Sequence, residues 1–348
     1  MRRKRRKRIL TTVVSVLGIF ILMGIIAAGL FVLLMMSPVA EAGETKKVEV
    51  ARGAVAQDVA ADLEEQGLIR NKMVFDLLCR FYKVDAQLKV GVYSISSGMS
   101  PKEIIEVLQA GPQVERVTVL IPEGYRVDQI IDRLVENGFG SSQEFYDAAE
   151  AITAANFPFL EEIPARSQET GNRLEGFLFP DGYVLDRDLT PKRVLEVMLS
   201  RFGEEVTEEV RGKLAARNMS IREWVIKASI VERETVLDEE RPIVASVFEN
   251  RLKIGMKLES CATVQYVLKE NKPVLSYQDI RTESPYNTYQ NTGLPIGPIA
   301  CPGKKSLEAA LNPADTKYLY FCAKPDRSQA FAETLQEHNR NVEKYVNS

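Results

Sequence analysis

Twenty-eight consecutive residues, Ile9 to Met36, carry no charge, and they follow a start in which seven of the first eight positions are Arg or Lys. At about 1.5 Å of rise per residue, a helix over such a run reaches roughly 42 Å, enough to cross a hydrocarbon core of about 30 Å with some tilt. The basic block on one flank and Glu41 and Glu44 on the other predict a single pass, with the N-terminus in the cytoplasm and everything beyond Ser37 outside the cytoplasmic membrane. A cleaved signal peptide competes with this reading, since Ala40-Glu41-Ala42 resembles a small-x-small cleavage site. Its apolar core is only about 7–15 residues long, which favours a retained anchor.

Beyond the anchor the balance of charge turns acidic. The whole chain holds 45 basic and 48 acidic side chains, and setting aside the seven bases at the start leaves 38 against 48. An acidic outer part argues against nucleic acid as a partner. About 300 residues remain outside, enough for one large or two moderate cores. Four cysteines and one histidine offer no Cys/His zinc spacing, and triad chemistry would depend on His338, which sits in a polar helical stretch and reads as a surface residue.

Residues 37–45 form a short tether, after which a pattern recurs. Lys47-Val48-Glu49-Val50 and Gly53, followed by Val55, Val59, Leu63 and Gly67, match Arg116-Val117-Thr118-Val119 and Gly124, followed by Val127, Ile131, Leu134 and Gly138. Each copy reads as a strand, a glycine turn and an amphipathic helix closed by glycine. Between them lie a strand at Gly91–Ile95 and a capping box at Ser100-Pro101-Lys102-Glu103 that opens a helix through about Gln109. Residues 46–112 thus form a compact α/β module of LysM-like size. Such modules bind glycans containing N-acetylglucosamine, while βα repetition of this kind also occurs in folds with no ligand. From 113 to 348 the pattern predicts one large α+β domain, and the whole chain is assigned to the α+β class.

The segment Ile221–Thr235 reads as a helix whose buried stripe holds Ile221, Trp224, Val225, Ala228, Val231 and Thr235, with Glu232 at its edge and Glu223, Lys227 and Glu234 on a solvated face. Ile226 and Ile230 break that stripe, as expected if the helix is covered on more than one side. A carboxyl group among apolar neighbours favours its neutral form, the state required of a general acid. The competing reading is a structural pair between Glu232 and an arginine such as Arg251. Downstream, Gln265-Tyr266, Tyr286-Asn287-Thr288-Tyr289 and Gly293-Leu294-Pro295 supply ingredients of a glycan cleft: aromatic faces, amides and rigid turns. The same Tyr-Asn-Thr-Tyr run also suits an ordinary turn.

Taken together, Leu174-Glu175-Gly176-Phe177-Leu178-Phe179-Pro180-Asp181, Ala228-Ser229-Ile230-Val231-Glu232-Arg233-Glu234-Thr235, Val247-Phe248-Glu249-Asn250-Arg251-Leu252, Tyr286–Tyr289, Gly293–Pro295, Asn312-Pro313 and Glu337-His338-Asn339 resemble the YceG-like endolytic murein transglycosylases over essentially the whole chain. The resemblance implies cleavage of the β-1,4 bond between N-acetylmuramic acid (MurNAc) and N-acetylglucosamine (GlcNAc) in nascent peptidoglycan, leaving 1,6-anhydro ends and terminating glycan elongation. It implies Glu232 as the catalytic residue and Glu175, Ser229, Gln265, Tyr286, Asn287, Thr288, Tyr289, Gly293 and Pro295 as substrate-binding residues. Peptidoglycan strands are the implied substrate and cell-wall synthases the implied partners, with neither metal nor other cofactor required.

Two readings compete with it: a membrane-anchored scaffold that binds peptidoglycan without cutting it, and a hydrolytic muramidase drawing a second carboxylate from Glu175, Asp181 or Glu234. The chain departs from the family pattern at Ser260-Cys261-Ala262, where relatives carry Ser-Asp-Pro, and at Cys301. Loops expected to flank the cleft then allow either a Cys261–Cys301 disulfide or two free thiols.

Overall fold

The computed structural model describes residues 19–27, 29–40, 43–51, 53–84, 88–112, 115–161 and 172–346. The basic block, residues 9–18 and Ala28 of the apolar run, and Glu41 and Ala42 of the cleavage-site reading lie outside them. Residues 19–27 and 29–35 are helical, with apolar side chains such as Phe20 and Leu33 exposed. Among the described residues no helix is long and apolar enough to cross a membrane.

The chain divides into two compact units, residues 1–114 and 115–348. The first holds strand β1 (Thr45–Val50), helices α1 (Ala56–Glu65) and α2 (Lys72–Phe81), strand β2 (Gly91–Ser96) and helix α3 (Pro101–Ala110). β1 and β2 pair antiparallel from Thr45↔Ser96 to Val50↔Gly91. Their alternation turns Val48, Val50, Tyr93 and Ile95 inward, where they meet Val59, Leu63, Phe75, Ile104 and Leu108 of the helices. The helix starts follow from local chemistry. Asn71 accepts from the Met73 and Val74 amides to open α2, and Ser100 with Glu103 closes a reciprocal box over Pro101 at the start of α3.

The second unit opens on the same order: β3 (Arg116–Leu120), α4 (Val127–Glu136), α5 (Ser142–Ala151), β4 (Gly182–Asp186) and α6 (Pro191–Glu205). β3 and β4 pair antiparallel from Arg116↔Asp186 to Leu120↔Gly182. The correspondence reaches single contacts. Leu68 N–H returns to the Leu63 carbonyl past Gly67, as Phe139 N–H returns to that of Leu134 past Gly138. Tyr93 donates its hydroxyl proton to the carbonyl four residues back, and Tyr183 does the same. The repeat read from the sequence as strand, turn and helix is therefore a complete β-α-α-β-α unit. Within the single compact unit from 115 onward, a second copy of the first unit's architecture forms the opening part, residues 116–205.

The rest of the second unit comprises α7 (Glu208–Ala216), α8 (Ile221–Glu234), α9 (Arg241–Lys253), α10 (Cys261–Leu268), α11 (Lys304–Leu311), a hairpin of β5 (Tyr320–Ala323) and β6 (Gln329–Ala332), and α12 (Leu335–Tyr345). α8 is the axis of this unit. Its Ile221, Trp224, Val225 and Ala228 belong to the core of the second β-α-α-β-α copy, whereas Ile226, Ile230 and Val231 pack with Val244, Phe248, Leu258 and Ile299 in another core. Two cores explain why Ile226 and Ile230 spoil a one-sided helical pattern. Trp224, 1% exposed, also donates Nε1–H to the Leu307 carbonyl at 2.8 Å, which fixes α11 against α8.

Candidate active site

Two carboxylates leave the last turn of α8, and each engages the start of a different helix. Glu234 accepts from the Ser260 hydroxyl and, at 3.5 Å, from the Ala262 amide, at the N-terminal end of α10. Burial pushes its carboxyl above the usual range. Glu232 accepts from the Gly303 amide at 2.9 Å through Oε2, at the N-terminal end of α11, and from Arg241 Nη1 at 3.2 Å through Oε1. Amide donors and the positive end of the helix dipole make such positions natural carboxylate seats. Expectation and structure differ here: Glu234 and Lys227 are half-buried rather than on a solvated face, Glu234 engaged by Ser260 and Lys227 paired with Glu249 at 2.9 Å.

Arg241 reaches Glu232 because α9 begins there, directly after a tight connection from α8. Thr235 leaves the helix in an extended conformation, and Glu240 takes hydrogen bonds from the Thr235 hydroxyl and the Gln329 amide that hold the connection closed. The Glu232 and Arg241 side chains are each only 6% exposed. Arg241 also donates to Asp238 Oδ1 at 2.9 Å and to the Ser306 hydroxyl at 2.6 Å. Glu232 therefore sits in a polar seat of guanidinium and amide rather than among apolar side chains. Arg251, named from the sequence as a possible partner, points elsewhere: it donates to the Leu319, Lys257 and Leu258 carbonyls and pairs with Glu259 at 3.4 Å.

The turn after β3 completes the surroundings. Gly124, at φ +76°, lies beneath Glu232 and Arg233; a Cβ there would stand 3.6 Å from Glu232 Cγ and 3.7 Å from Arg233 Cδ. Gly124 N–H donates to the Cys301 carbonyl at 2.9 Å, and Cys301 N–H to that of Tyr125 at 2.8 Å. The neighbouring Glu123 is exposed, and its carboxyl lies against Gly303, where any side chain would overlap it. Partial desolvation, followed by the charge of Glu232, raises its pKa; Arg241 opposes, and Asp238 adds a smaller push upward. Sequence reasoning passed over Glu123, Arg241 and Gly303. The Pro122-Glu123-Gly124 turn at the edge of a repeat was the one local cue.

Several residues expected to bind substrate make hydrogen bonds within the protein. Glu175 is buried, accepting from the Val127 amide and the Tyr266 hydroxyl, each at 3.1 Å; burial pushes its carboxyl up to about 8. Ser229 donates to the Ile226 carbonyl and accepts from the Ile299 amide. Asn287 is fully buried, donating to the Ile280 and Thr282 carbonyls, and Thr288 accepts from the Ser260 amide. These two tie the Tyr286–Tyr289 turn to residues 280–282 and to the start of α10. Gln265 donates to the Lys272 carbonyl at 2.8 Å, and the buried Tyr286 ring lies 4.8 Å from that of Tyr266. Tyr289 is half-buried, Pro295 is buried, and Gly293 adopts φ +84°. Asp181, a candidate second carboxylate, is committed to Arg201 at 2.8 Å.

The alternative of a Cys261–Cys301 disulfide is corrected: both thiols are free. Cys301 is enclosed in the core around the second β-α-α-β-α copy. Cys261 Sγ instead faces the Tyr289 hydroxyl at 3.1 Å.

Comparison with known proteins places the chain in a family. The YceG-like family model matches residues 48–344. The endolytic murein transglycosylase of Bacillus subtilis is 31% identical over 321 residues, spanning 90% of this chain and 89% of that protein. That of Streptococcus pneumoniae is 30% identical over 327 residues, 86% of this chain but 58% of the longer streptococcal protein. The crystal structure of a yceG-like protein from Listeria monocytogenes, 31% identical, superimposes with a TM-score of 0.59 over 86% of this chain and 99% of that one. With both units covered by the family model, the chain belongs to the YceG-like family.

Proposed function

We propose that this chain is an endolytic murein transglycosylase, a lyase that cuts the MurNAc–GlcNAc β-1,4 bond within peptidoglycan strands and leaves 1,6-anhydro-MurNAc ends. The observation that carries the assignment to a site is the seating of Glu232, an almost buried carboxyl aimed by Arg241 and the Gly303 amide. The chemistry asks for one proton delivered and one removed. The glycosidic oxygen must be protonated as its bond to C1 breaks, and the sugar's own C6 hydroxyl must lose a proton as its oxygen attacks C1. One carboxyl suffices, acting first as acid and then as base, so neither an activated water nor a metal takes part.

The remaining expectations extend this reading. The charge-free run Ile9–Met36 and the basic start support a single membrane anchor with the catalytic unit outside the cytoplasmic membrane. The strand–helix–helix–strand order and closed core of the first unit support a LysM-like glycan-binding module. Anchored beside growing glycan, such an enzyme would terminate strands and work next to cell-wall synthases. Among the residues named for substrate, Tyr289, with surface left open, best suits stacking on a sugar face.

The test is digestion of peptidoglycan by wild type and Glu232→Gln, with muropeptides read by mass. The proposal expects anhydro-ended fragments from wild type alone. Products heavier by one water would favour a muramidase, and no cleavage by wild type would favour a binding scaffold.

A further inference from the structure

The residues that follow the charge-free run are not a loose tether. The helix of that run ends at Met35, and from Pro38 the backbone is already held by the first unit. Val39 and Ala40 donate their amides to the Ser97 carbonyl, just beyond β2, at 3.0 and 3.1 Å. Arg70 Nη2 donates to the Pro38 and Val39 carbonyls at 2.8 and 3.2 Å. Two residues past Arg70, α2 begins. From Met35 to Pro38 the chain can span at most about 10 Å. That is little more than one headgroup layer, about 5–8 Å thick. On the anchor reading given above, α2 therefore starts at the membrane surface.

The outer side of α2 suits that place. Met73, Leu77 and Phe81 recur every four residues on one side of the helix, all well exposed, and the Tyr82 ring lies 5.3 Å from that of Phe81. Exposed bases flank them: Lys72, 3.9 Å from Glu64, Arg80, paired with Asp76 at 2.8 Å, and Lys83. Residues 70–83 hold four bases and one acid, in a chain that is acidic beyond the apolar run. The second copy supplies the comparison. Its matching stretch, 140–153, holds three acids and no base, and α5 carries Gln143, Asp147 and Ala151 where α2 carries Met73, Leu77 and Phe81. Both helices bury their opposite side, through Phe75 and Phe145. The β-α-α-β-α skeleton thus has no need of the stripe, and the copy that has it is the one joined to the apolar run.

We propose that α2 lies in the interface of the bilayer that holds the anchor, with Met73, Leu77 and Phe81 among the upper acyl chains and Lys72, Arg80 and Lys83 against anionic lipid phosphates. The inference rests on the anchor reading and goes beyond it: the anchor sets the distance of the first unit from lipid, and α2 sets its orientation. An apolar stripe bordered by Lys and Arg and ending in aromatic residues is the composition that favours the interfacial plane. Long basic side chains there lay their methylenes along the stripe and lift their charge to the headgroups. Two attachments, one through the membrane and one along it, keep the unit from swinging on the anchor.

The test places the full chain in vesicles of phosphatidylcholine and phosphatidylglycerol, with Cys261→Ser and Cys322→Ser removing the thiols that are not buried. One environment-sensitive dye is then attached through Leu77→Cys, Leu22→Cys or Gln57→Cys. Leu22 lies in the middle of the apolar run, and Gln57 at the end of α1 opposite Gln66, whose carbonyl accepts from Lys46 beside the tether. Spin-labelled lipids, labelled near the headgroup or deep in the acyl chains, act as quenchers. The dye at 77 should shift to the blue and lose emission at least about twofold to the shallow label, while the dye at 57 is quenched by neither. The dye at 22 should be quenched by the deep label. Leaving out phosphatidylglycerol should weaken the quenching at 77, since the bases then meet no net charge. An unquenched dye at 77 beside a quenched dye at 22 would overturn the proposal and leave the anchor standing. Quenching at 77 without quenching at 22 would keep the surface contact and remove the anchor. A blue shift at 77 without lipid quenching would mean that another protein surface covers α2, and would also overturn the proposal.

Discussion

The two β-α-α-β-α copies have the same skeleton and different surfaces. Val48 and Val50 in the first copy have counterparts in Val119 and Ile121, two residues further along than the sequence pattern pairs them, Phe75 in Phe145, and Tyr93 in Tyr183, all buried. The faces turned away from the cores diverge. α2 exposes Met73, Leu77 and Phe81 in a stripe, with Phe81 77% exposed, whereas α5 places Gln143 and Asp147 at the matching positions and joins them by a hydrogen bond of 2.8 Å. The turns diverge more consequentially. Arg52-Gly53 follows the first strand and Glu123-Gly124 the corresponding one, and the second turn has become a wall of the carboxyl site. The skeleton is set by burial and glycine placement, while the turns and outer faces are free to differ.

This contrast can be broken or sharpened by substitution. The largest effect on stability is expected at Trp224, which fills the core beside the second copy and bonds α11: Trp224→Ala should cost about 3–5 kcal/mol in that unit. It should leave the first unit within about 0.5 kcal/mol of wild type. Amide exchange measured separately in α1–α3 and in α4–α6 reads both, and equal loss in the two units would contradict independent cores.

Glu175 should give a smaller, pH-dependent effect. Its folded-state pKa of about 8 lies above the ordinary 4.5, so the folded unit keeps a proton that the unfolded chain releases. Stability is full below about 4.5 and falls as pH rises toward 8. Glu175→Gln should remove that decline, as read from urea midpoints at pH 5 and pH 8, and an unchanged slope would show that the buried carboxyl is not its source.

The smallest effect is expected from exchanging the outer faces. Met73→Gln with Leu77→Asp should shift the urea midpoint by less than about 0.5 kcal/mol equivalent, since both side chains are exposed. A larger loss would mean that the α2 stripe is packed against something.

Local patterns reached some of these features and missed others. The glycine offsets announced the duplication, and Ser100-Pro101-Lys102-Glu103 announced α3, because turns and caps are written in a few adjacent residues. The second helix and second strand of the repeat were harder to align, because their outer faces have diverged. At the site, helix periodicity placed Glu232 at the edge of a buried stripe. It could not say that a tight turn would bring Arg241 rather than Arg251 to it, since that choice depends on how α9 packs. Asn287, Thr288 and Ser229 looked like glycan ligands because polar side chains in rigid loops serve binding and loop-building alike, and here their hydrogen bonds are spent inside the protein. Glu123 was hidden because its significance depends on Gly303, far along the chain.

The account stands most directly on the products released by Glu232→Gln. Incubated with peptidoglycan beside wild type, the variant should retain the fold, as read by its melting temperature, and release anhydro-MurNAc-ended fragments at least about a hundredfold more slowly. A folded Glu232→Gln protein that releases the same anhydro fragments at the wild-type rate would contradict it.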